Sequence, residues 1–407
     1  MTPVRVVVLD HTAQTGGAEL ALLRTVAALD PSRVDVTVLL FAEGPLVGRL
    51  RAVGARVEVL ALDPRVAATG RHAVGRLGSL RAVPFVFRLA RALRRLRPDV
   101  VHCTSLKADL LGLVAARLVR RPVVWHLHDR IAADYLPRPV VAVVRWLARH
   151  AVTEVVVNSR ATASTVLPLP RWTLAYPGLA PEQVGPDPIH RPTPTPPVVG
   201  IVGRISPTKG QREFLAAAAL LADRFPDLRF RVIGDALFAE ADYAEQVRAQ
   251  AAGLADRVDF TGWVADPVAE LDRLTVMVHA SPTPEPFGQV VVEAMARGVP
   301  VIATAGGGVD EIVLPRDAEP RGALVRPGDV AGLAAAVEAL LRDPETTAAR
   351  ARQAWFGVRR DYPITATAEA LTAVWCRLAP GPGRPASAAP GRPSSGPRPV
   401  TRVSAAR

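Results

Sequence analysis

The 407-residue chain carries 50 lysines and arginines against 38 acids, giving a formal net charge of +12, and is 49% hydrophobic but only 5% aromatic. That length accommodates two domains with separate cores. No apolar run is long enough to cross a bilayer, and two cysteines, Cys103 and Cys376, are too few for a disulfide framework. The first residues enter a strand directly, so no signal peptide is expected and the composition fits a reducing, cytoplasmic compartment. The positive balance implies attraction to something acidic: nucleic acid, anionic lipid or a phosphorylated substrate. Almost all of it is arginine, and Lys107 and Lys209 are the only lysines. Arginine is therefore this chain's default cation, whereas a retained lysine marks a place that suits a compact ammonium.

Taken in order, Val4–Leu9 is a buried parallel-type strand and Gly17–Leu29 an amphipathic helix behind it. The loop between them ends in Gly16 and Gly17. Two glycines there fit either a backbone that approaches a diphosphate closely or an ordinary tight strand–helix turn. The pattern is not Gly-x-Gly-x-x-Gly, so a nicotinamide dinucleotide site is not supported. Further strands are read at Val34–Leu40, Arg56–Leu60, Val100–His102, Val123–Leu127 and Glu154–Val157, with helices between. Such alternation predicts an α/β, doubly wound parallel sheet that binds ligands beyond the carboxyl ends of its strands. His126 and His128 lie at such an end, and because one side of a strand usually faces the core, at most one of them is expected to reach a cleft.

Val83–Arg97 reads as a basic amphipathic helix, with Phe85, Leu89, Ala92, Leu93 and Leu96 on one face. It is either a surface helix with snorkelling arginines or a patch for an anionic membrane surface, helped by Arg71, Arg76 and Arg81. No recognised binding motif or stacking aromatics accompany the charge, so nucleic acid is not expected. Residues 181–197 are proline-rich and serve as a linker between residues 1–180 and 198–378. The second half opens on the strand Val198–Val202, then a loop bracketed by Arg204 and Lys209 that is not a P-loop. Strands Arg229–Ile233 and Arg257–Phe260 end in Gly234-Asp235 and Gly262-Trp263. The chain is helical from about residue 330 to Leu378, with Trp355 and Trp375 as candidate anchors for its end. Residues 379–407 cannot build a core and are expected to be disordered, their arginines adding to a lipid or polyanion contact.

The most informative stretch is Ser281–Glu311. It reads as strand end, loop, helix, strand and glycine turn, with the helix running from near Gly288 to Arg297. Glu285 precedes the helix and Glu293 lies about two turns into it, where a solvent-facing acid is expected. The amides of Phe287, Gly288, Gln289 and Val290 point out of the helix start, a ready site for oxygen acceptors or phosphate. Two acids flanking such an end suit a ligand with many hydroxyls and an anionic group.

With PEPFG before it, EAMARGVPVIAT after it, then GGGVDEIV and GALVRPGD, this stretch resembles the donor site of retaining GT-B glycosyltransferases of family 4. Glu285 and Glu293 match that family's Glu-x7-Glu motif. The resemblance implies the GT-B fold: an acceptor-side Rossmann-like domain facing a nucleotide-sugar-binding one across a cleft, with the last helix crossing back. It puts Glu293 on the ribose of a UDP- or GDP-sugar, and Glu285 with the amides of Phe287, Gly288 and Gln289 on the sugar. Arg204, Lys209, Gly16 and Gly17 would then hold the diphosphate, Gly234, Asp235 and Trp263 the base, and His128 would face the reacting carbon. Where the family has Asn-Gly this chain has Pro177-Gly178, which keeps a turn but removes a side-chain contact. No Asp-x-Asp occurs, so no metal cofactor is expected and the cations offset the phosphate charge directly. The implied activity is retaining sugar transfer to an unidentified acceptor, lipid-linked acceptors included; the expected location is cytoplasmic, and peripheral on the cytoplasmic membrane face where the Val83–Arg97 helix binds lipid. A sugar-nucleotide epimerase of the same fold and a non-catalytic sugar-nucleotide-binding protein are the alternatives.

Overall fold

The computed structural model describes residues 2–67, 82–236 and 240–379. Arg71, Arg76, Arg81 and the tail from residue 380 lie outside them. The first half alternates β1 (Val4–Asp10), α1 (Gly17–Ala27), β2 (Val34–Leu40), α2 (Pro45–Ala52), β3 (Arg56–Val59), α3 (Pro64–Ala67) and α4 (Ala82–Leu96). It continues through β4 (Val100–Cys103), α5 (Leu106–Leu118), β5 (Val123–Leu127), α6 (Arg138–His150), β6 (Glu154–Val157), α7 (Arg160–Ser164) and β7 (Trp172–Leu174). The second half opens with β8 (Val198–Val202), α8 (Gln211–Ala222), β9 (Arg229–Ile233), α9 (Ala241–Ala251), β10 (Val258–Phe260), α10 (Val268–Asp272) and β11 (Val276–His279). It ends in α11 (Gln289–Ala296), β12 (Val301–Thr304), α12 (Gly308–Val313), β13 (Ala323–Val325), α13 (Val330–Arg342), α14 (Pro344–Asp361) and α15 (Ile364–Leu378).

Two parallel sheets result, seven strands in the order β3-β2-β1-β4-β5-β6-β7 and six in the order β10-β9-β8-β11-β12-β13. Both reverse direction beside their first strand, so each has a crevice at its carboxyl edge where a ligand is expected. The valine-rich strands are buried on both faces because helices cover both. In the first sheet α4, α5 and α6 close one face around Leu89, Trp125 and Val144, while α1 and α2 close the other around Val8, Val38 and Leu46.

α15 completes that second face. Its Leu371, Val374 and Trp375 join Val6, Val8 and Leu22 in one core, so the chain's last helix packs on the first sheet. Trp355 does not share this role, because its indole donates to the carbonyl of Gly185 at 3.1 Å and stays with the second half. The chain passes between the halves twice, and the two passes are tied where Leu179 donates to Tyr362 at 2.7 Å and Ile364 to Leu179 at 3.0 Å. The proline-rich segment is packed rather than loose. Gly185 donates to Ala296 at 2.9 Å, and Asp187 accepts two bonds from Arg352, at 2.8 and 2.7 Å.

The halves also meet directly beside the crevices. Glu311 of α12 receives the backbone amides of Arg160 and Ala161 at the start of α7, at 3.2 and 2.7 Å. The same carboxylate accepts the Tyr176 hydroxyl at 2.6 Å. An anion at a helix start satisfies amides that would otherwise lack partners, and here it joins two sheets.

Candidate functional site

The cleft is built from the carboxyl ends of both sheets. On the second sheet, the β8–α8 loop and the β11–α11 loop lie against each other. Gly210 has a φ of +79°, and a Cβ there would sit 1.9 Å from the carbonyl oxygen of Ala280, so only glycine lets the two loops approach. That approach places Lys209 against Glu285: its Nζ lies 2.8 and 2.9 Å from the two carboxylate oxygens. His279 Nε2 at 3.5 Å and Ser281 Oγ at 3.4 Å complete the surround. Burial alone would raise the Glu285 carboxyl, but the Lys209 ammonium and His279 outweigh it and hold the group well below the usual carboxylate range. Glu285 is therefore a fixed anion. Arg204, across the same loop, has its Nε 3.4 Å from Glu240.

α11 begins at Gly288, whose φ of +100° and tight contact with Val309 again require glycine. Its first amides point into the cleft by helix geometry. The ring of Phe287 turns inward to pack on Tyr176 and Tyr362, so only its backbone faces the site.

Glu293 corrects the expectation of a solvent-facing acid. It is 5% exposed, and its Oε1 accepts from Arg24 at 2.8 Å, Gln183 at 2.8 Å and Gln289 at 3.1 Å. Helical periodicity gave it a polar face, but that face is turned toward α1 and the linker. Two turns separate Gly17 from Arg24 on α1, and one turn separates Gln289 from Glu293 on α11. The helices face each other, with Gln289 Oε1 4.0 Å from where a Gly17 side chain would begin. Gly16 caps α1 in extended conformation, with the Glu19 carboxylate folded over it.

Asp235 and Gly234 lie together at the end of β9. The Asp235 carboxylate accepts from Ala236 at 2.8 Å and Arg248 at 3.2 Å. Gly234 donates to Gly262 at 3.1 Å, which draws the end of β10 alongside, and the neighbouring Trp263 is 47% exposed.

On the first sheet, β5 carries both candidate histidines. His126 is buried inside while His128, just past the strand, is half-buried. Burial lowers the pKa of both, offset for His128 by Asp129 and Asp10, so His128 is neutral near pH 7. Asp10, fully buried, accepts from Thr104 Oγ1 at 2.8 Å and pairs with His11 at 3.3 Å. Glu19 is pushed up to about 8 by burial, then by Asp10 and Asp129. Sequence reading missed Arg24, Glu19, Gln183, His279 and Glu311. Only Glu19 left a signal, as an acid at the third position of a helix opened by glycines.

Two facing doubly wound sheets, with a cation–carboxylate pair and a helix start at the crevice of one and histidines at the edge of the other, define a GT-B nucleotide-sugar enzyme. Residues 16–172 match the family model described as glycosyl transferase 4-like domain, and residues 187–355 match glycosyl transferases group 1. The chain is 34% identical to the 2-deoxystreptamine glucosyltransferase of Streptomyces kanamyceticus over 62% of its own length and 72% of that protein. It is 30% identical to a Mycobacterium tuberculosis glycogen synthase, with 72% of each covered. Among solved structures, Anabaena Alr3699/HepE in complex with UDP and glucose superposes with a TM-score of 0.79 at 28% identity, covering 92% of this chain and 99% of that one. This protein belongs to the GT-B glycosyltransferases of family 4 type.

Proposed function

We propose that the enzyme moves a sugar from a UDP-sugar to an acceptor hydroxyl with retention at the anomeric carbon and without a metal. The observation that carries this reading is the half-buried Lys209–Glu285 pair set beside the α11 start. An ammonium has three N–H bonds. Two meet Glu285, leaving one for an oxygen of the leaving diphosphate. Arg204 and the first amides of α11 add donors where charge develops. Glu285, held ionised, accepts from sugar hydroxyls and is a poor nucleophile while its charge is taken by Lys209. Attack therefore comes on the face from which the diphosphate departs. The acceptor oxygen bonds to the anomeric carbon, the carbon–phosphate oxygen bond breaks, and the acceptor proton passes to that phosphate oxygen. His128, neutral, lines the opposite wall and hydrogen-bonds the sugar. UDP is favoured as the nucleotide because the similar Anabaena protein was solved with UDP and with UDP-glucose. No group of three or more His, Cys, Asp or Glu among the described residues has the arrangement of a metal site.

Calorimetric titration with UDP, UDP-glucose, UDP-N-acetylglucosamine and GDP-mannose tests this. Binding of UDP and at least one UDP-sugar is expected, with the sugar's contribution to affinity lost in Glu285→Ala. No binding by any of the four would refute the donor assignment, and an anomeric configuration inverted in the product would refute retention.

A second reading concerns location. α4 and α6 cover the same face of the first sheet and contain no acid. α4 exposes Val83 and Phe87 beside Arg88, Arg91 and Arg94; α6 exposes Val143 and Trp146 beside Arg149. Exposed aromatics among cations fit an anionic bilayer surface, each cation contributing about 1 kcal/mol. Flotation with anionic but not with neutral vesicles, abolished in Phe87→Ser with Trp146→Ser, is the expected outcome. Equal recovery from both vesicle types would leave two ordinary surface helices.

A further inference from the structure

Behind His128 lies a set of buried groups that the sugar-transfer reading does not use. Trp375, on the helix that returns from the second half, places its Nε1 3.2 Å from His102 Nδ1. His102 Nε2 lies 3.3 Å from His126 Nδ1. His126 in turn stacks on His128, ring centroids 4.1 Å apart and planes tilted by 36°. The His126 Nε2 is buried and has no hydrogen-bond partner among the described residues. His126, His128, Thr104, Pro177 and Trp375 line one cavity between α1 and α15.

The protons in this chain are determined by its first member. An indole N–H only donates, so His102 Nδ1 accepts and the neutral ring carries its proton on Nε2. That Nε2–H donates to His126 Nδ1, which puts the proton of His126 on its own Nε2. Each ring is neutral: burial pushes His102 down to about 3 and His126 well below its ordinary value. One donor on α15 thus decides which edge of His126 is N–H and which is lone pair, two residues from His128.

We propose that Trp375 is a positioning residue which, through His102, locks His126 in its Nε2–H tautomer and so fixes the ring on which His128 rests and the donor edge beside it. The inference rests on the reading of His128 as a wall of the sugar site. It gives the returning helix a chemical role besides packing: seating α15 on the first sheet sets the tautomers beneath the cleft. Without the indole N–H, His102 is no longer held as an acceptor. Both rings can then exchange tautomers, and the edge of His126 that lines the cavity alternates between donor and acceptor.

Long-range proton–nitrogen spectra of the full chain labelled with ¹⁵N-histidine read the tautomers directly, with His102→Gln assigning the signals. In the unmodified enzyme at neutral pH, His102 and His126 should both be neutral Nε2–H forms. Trp375→Phe keeps an aromatic ring, smaller than the indole, and removes the donor. It should mix the two tautomers and lower kcat about tenfold, the factor one neutral hydrogen bond carries, with KM for UDP-glucose nearly unchanged. An Nδ1–H or charged form of either ring in the unmodified enzyme would overturn the proposal even if the variant fails to fold. So would a Trp375→Phe spectrum identical to the parent. Full turnover in His128→Ala would instead overturn the reading of the site on which it rests.

Discussion

Replacing Glu293 by alanine should destabilise the protein as well as weaken donor binding, and the two effects have separate origins. The carboxylate is buried, and its Oε1 alone takes bonds from Arg24, Gln183 and Gln289. Removing it strands the Arg24 guanidinium, whose side chain is only 11% exposed, and leaves the Gln183 amide without its acceptor. Breaking a buried ion pair by deleting one partner costs about 3–5 kcal/mol, because an uncompensated charge remains. Taking the lower figure, and roughly 2–4 °C per kcal/mol for a unit of 150–250 residues, Tm should fall by roughly 6–12 °C. Arg24→Met with Glu293→Met removes both charges and should recover part of that loss, since no buried charge is left unpaired while the Gln183 amide still lacks its acceptor. Differential scanning calorimetry of Glu293→Ala, Arg24→Met and the double variant, each with and without UDP, separates the terms. Donor affinity should drop in every variant that lacks Glu293, whatever its Tm. A Glu293→Ala protein with unaltered Tm would refute the reasoning, for the pair would then contribute nothing to joining α1 and α11.

Lys209→Ala should slow turnover by roughly 10²–10³, the scale for losing one preorganised donor to a developing anion. Lys209→Arg should not restore the rate, because a planar fork cannot serve Glu285 and a phosphate from one point; steady-state kinetics at saturating UDP-sugar checks both. Activity should survive excess chelator, and a loss restored by magnesium or manganese would refute metal-free departure of the diphosphate. Glu19, pushed up to about 8 in the folded protein, holds its proton where the unfolded chain has released it. Folding stability should therefore decline as pH rises from the ordinary carboxylate range to about 8, and Glu19→Gln should flatten that slope in a Tm-versus-pH series.

Much of the architecture was legible from local pattern. Runs such as VRVVVL and VVWHL could only be strands buried on both faces, and their alternation with amphipathic helices left little choice but parallel, doubly wound sheets. The β11–α11 stretch was equally readable, because the glycine at the helix start and the two glutamates are local features. The burial of Glu293 was not. Period alone places it on a polar face, and whether that face meets water or another helix depends on α1, whose Arg24 stands 269 residues away in the chain. The two tryptophans show the same limit: both are apolar anchors by composition, yet Trp375 enters the first core and Trp355 stays on the linker.

The sequence by itself determined the class of fold, the carboxyl-edge side on which ligands bind and the residue types available there. Each of these follows from periodicity and turn chemistry over a few residues. Tertiary structure alone decided which polar groups meet: Lys209 with Glu285, Arg24 with Glu293, Glu311 with the start of α7, and Trp375 with His102. Pairing of this kind depends on distances between elements far apart in the chain, and a side chain's ionisation and tautomer follow from those distances rather than from its neighbours in sequence.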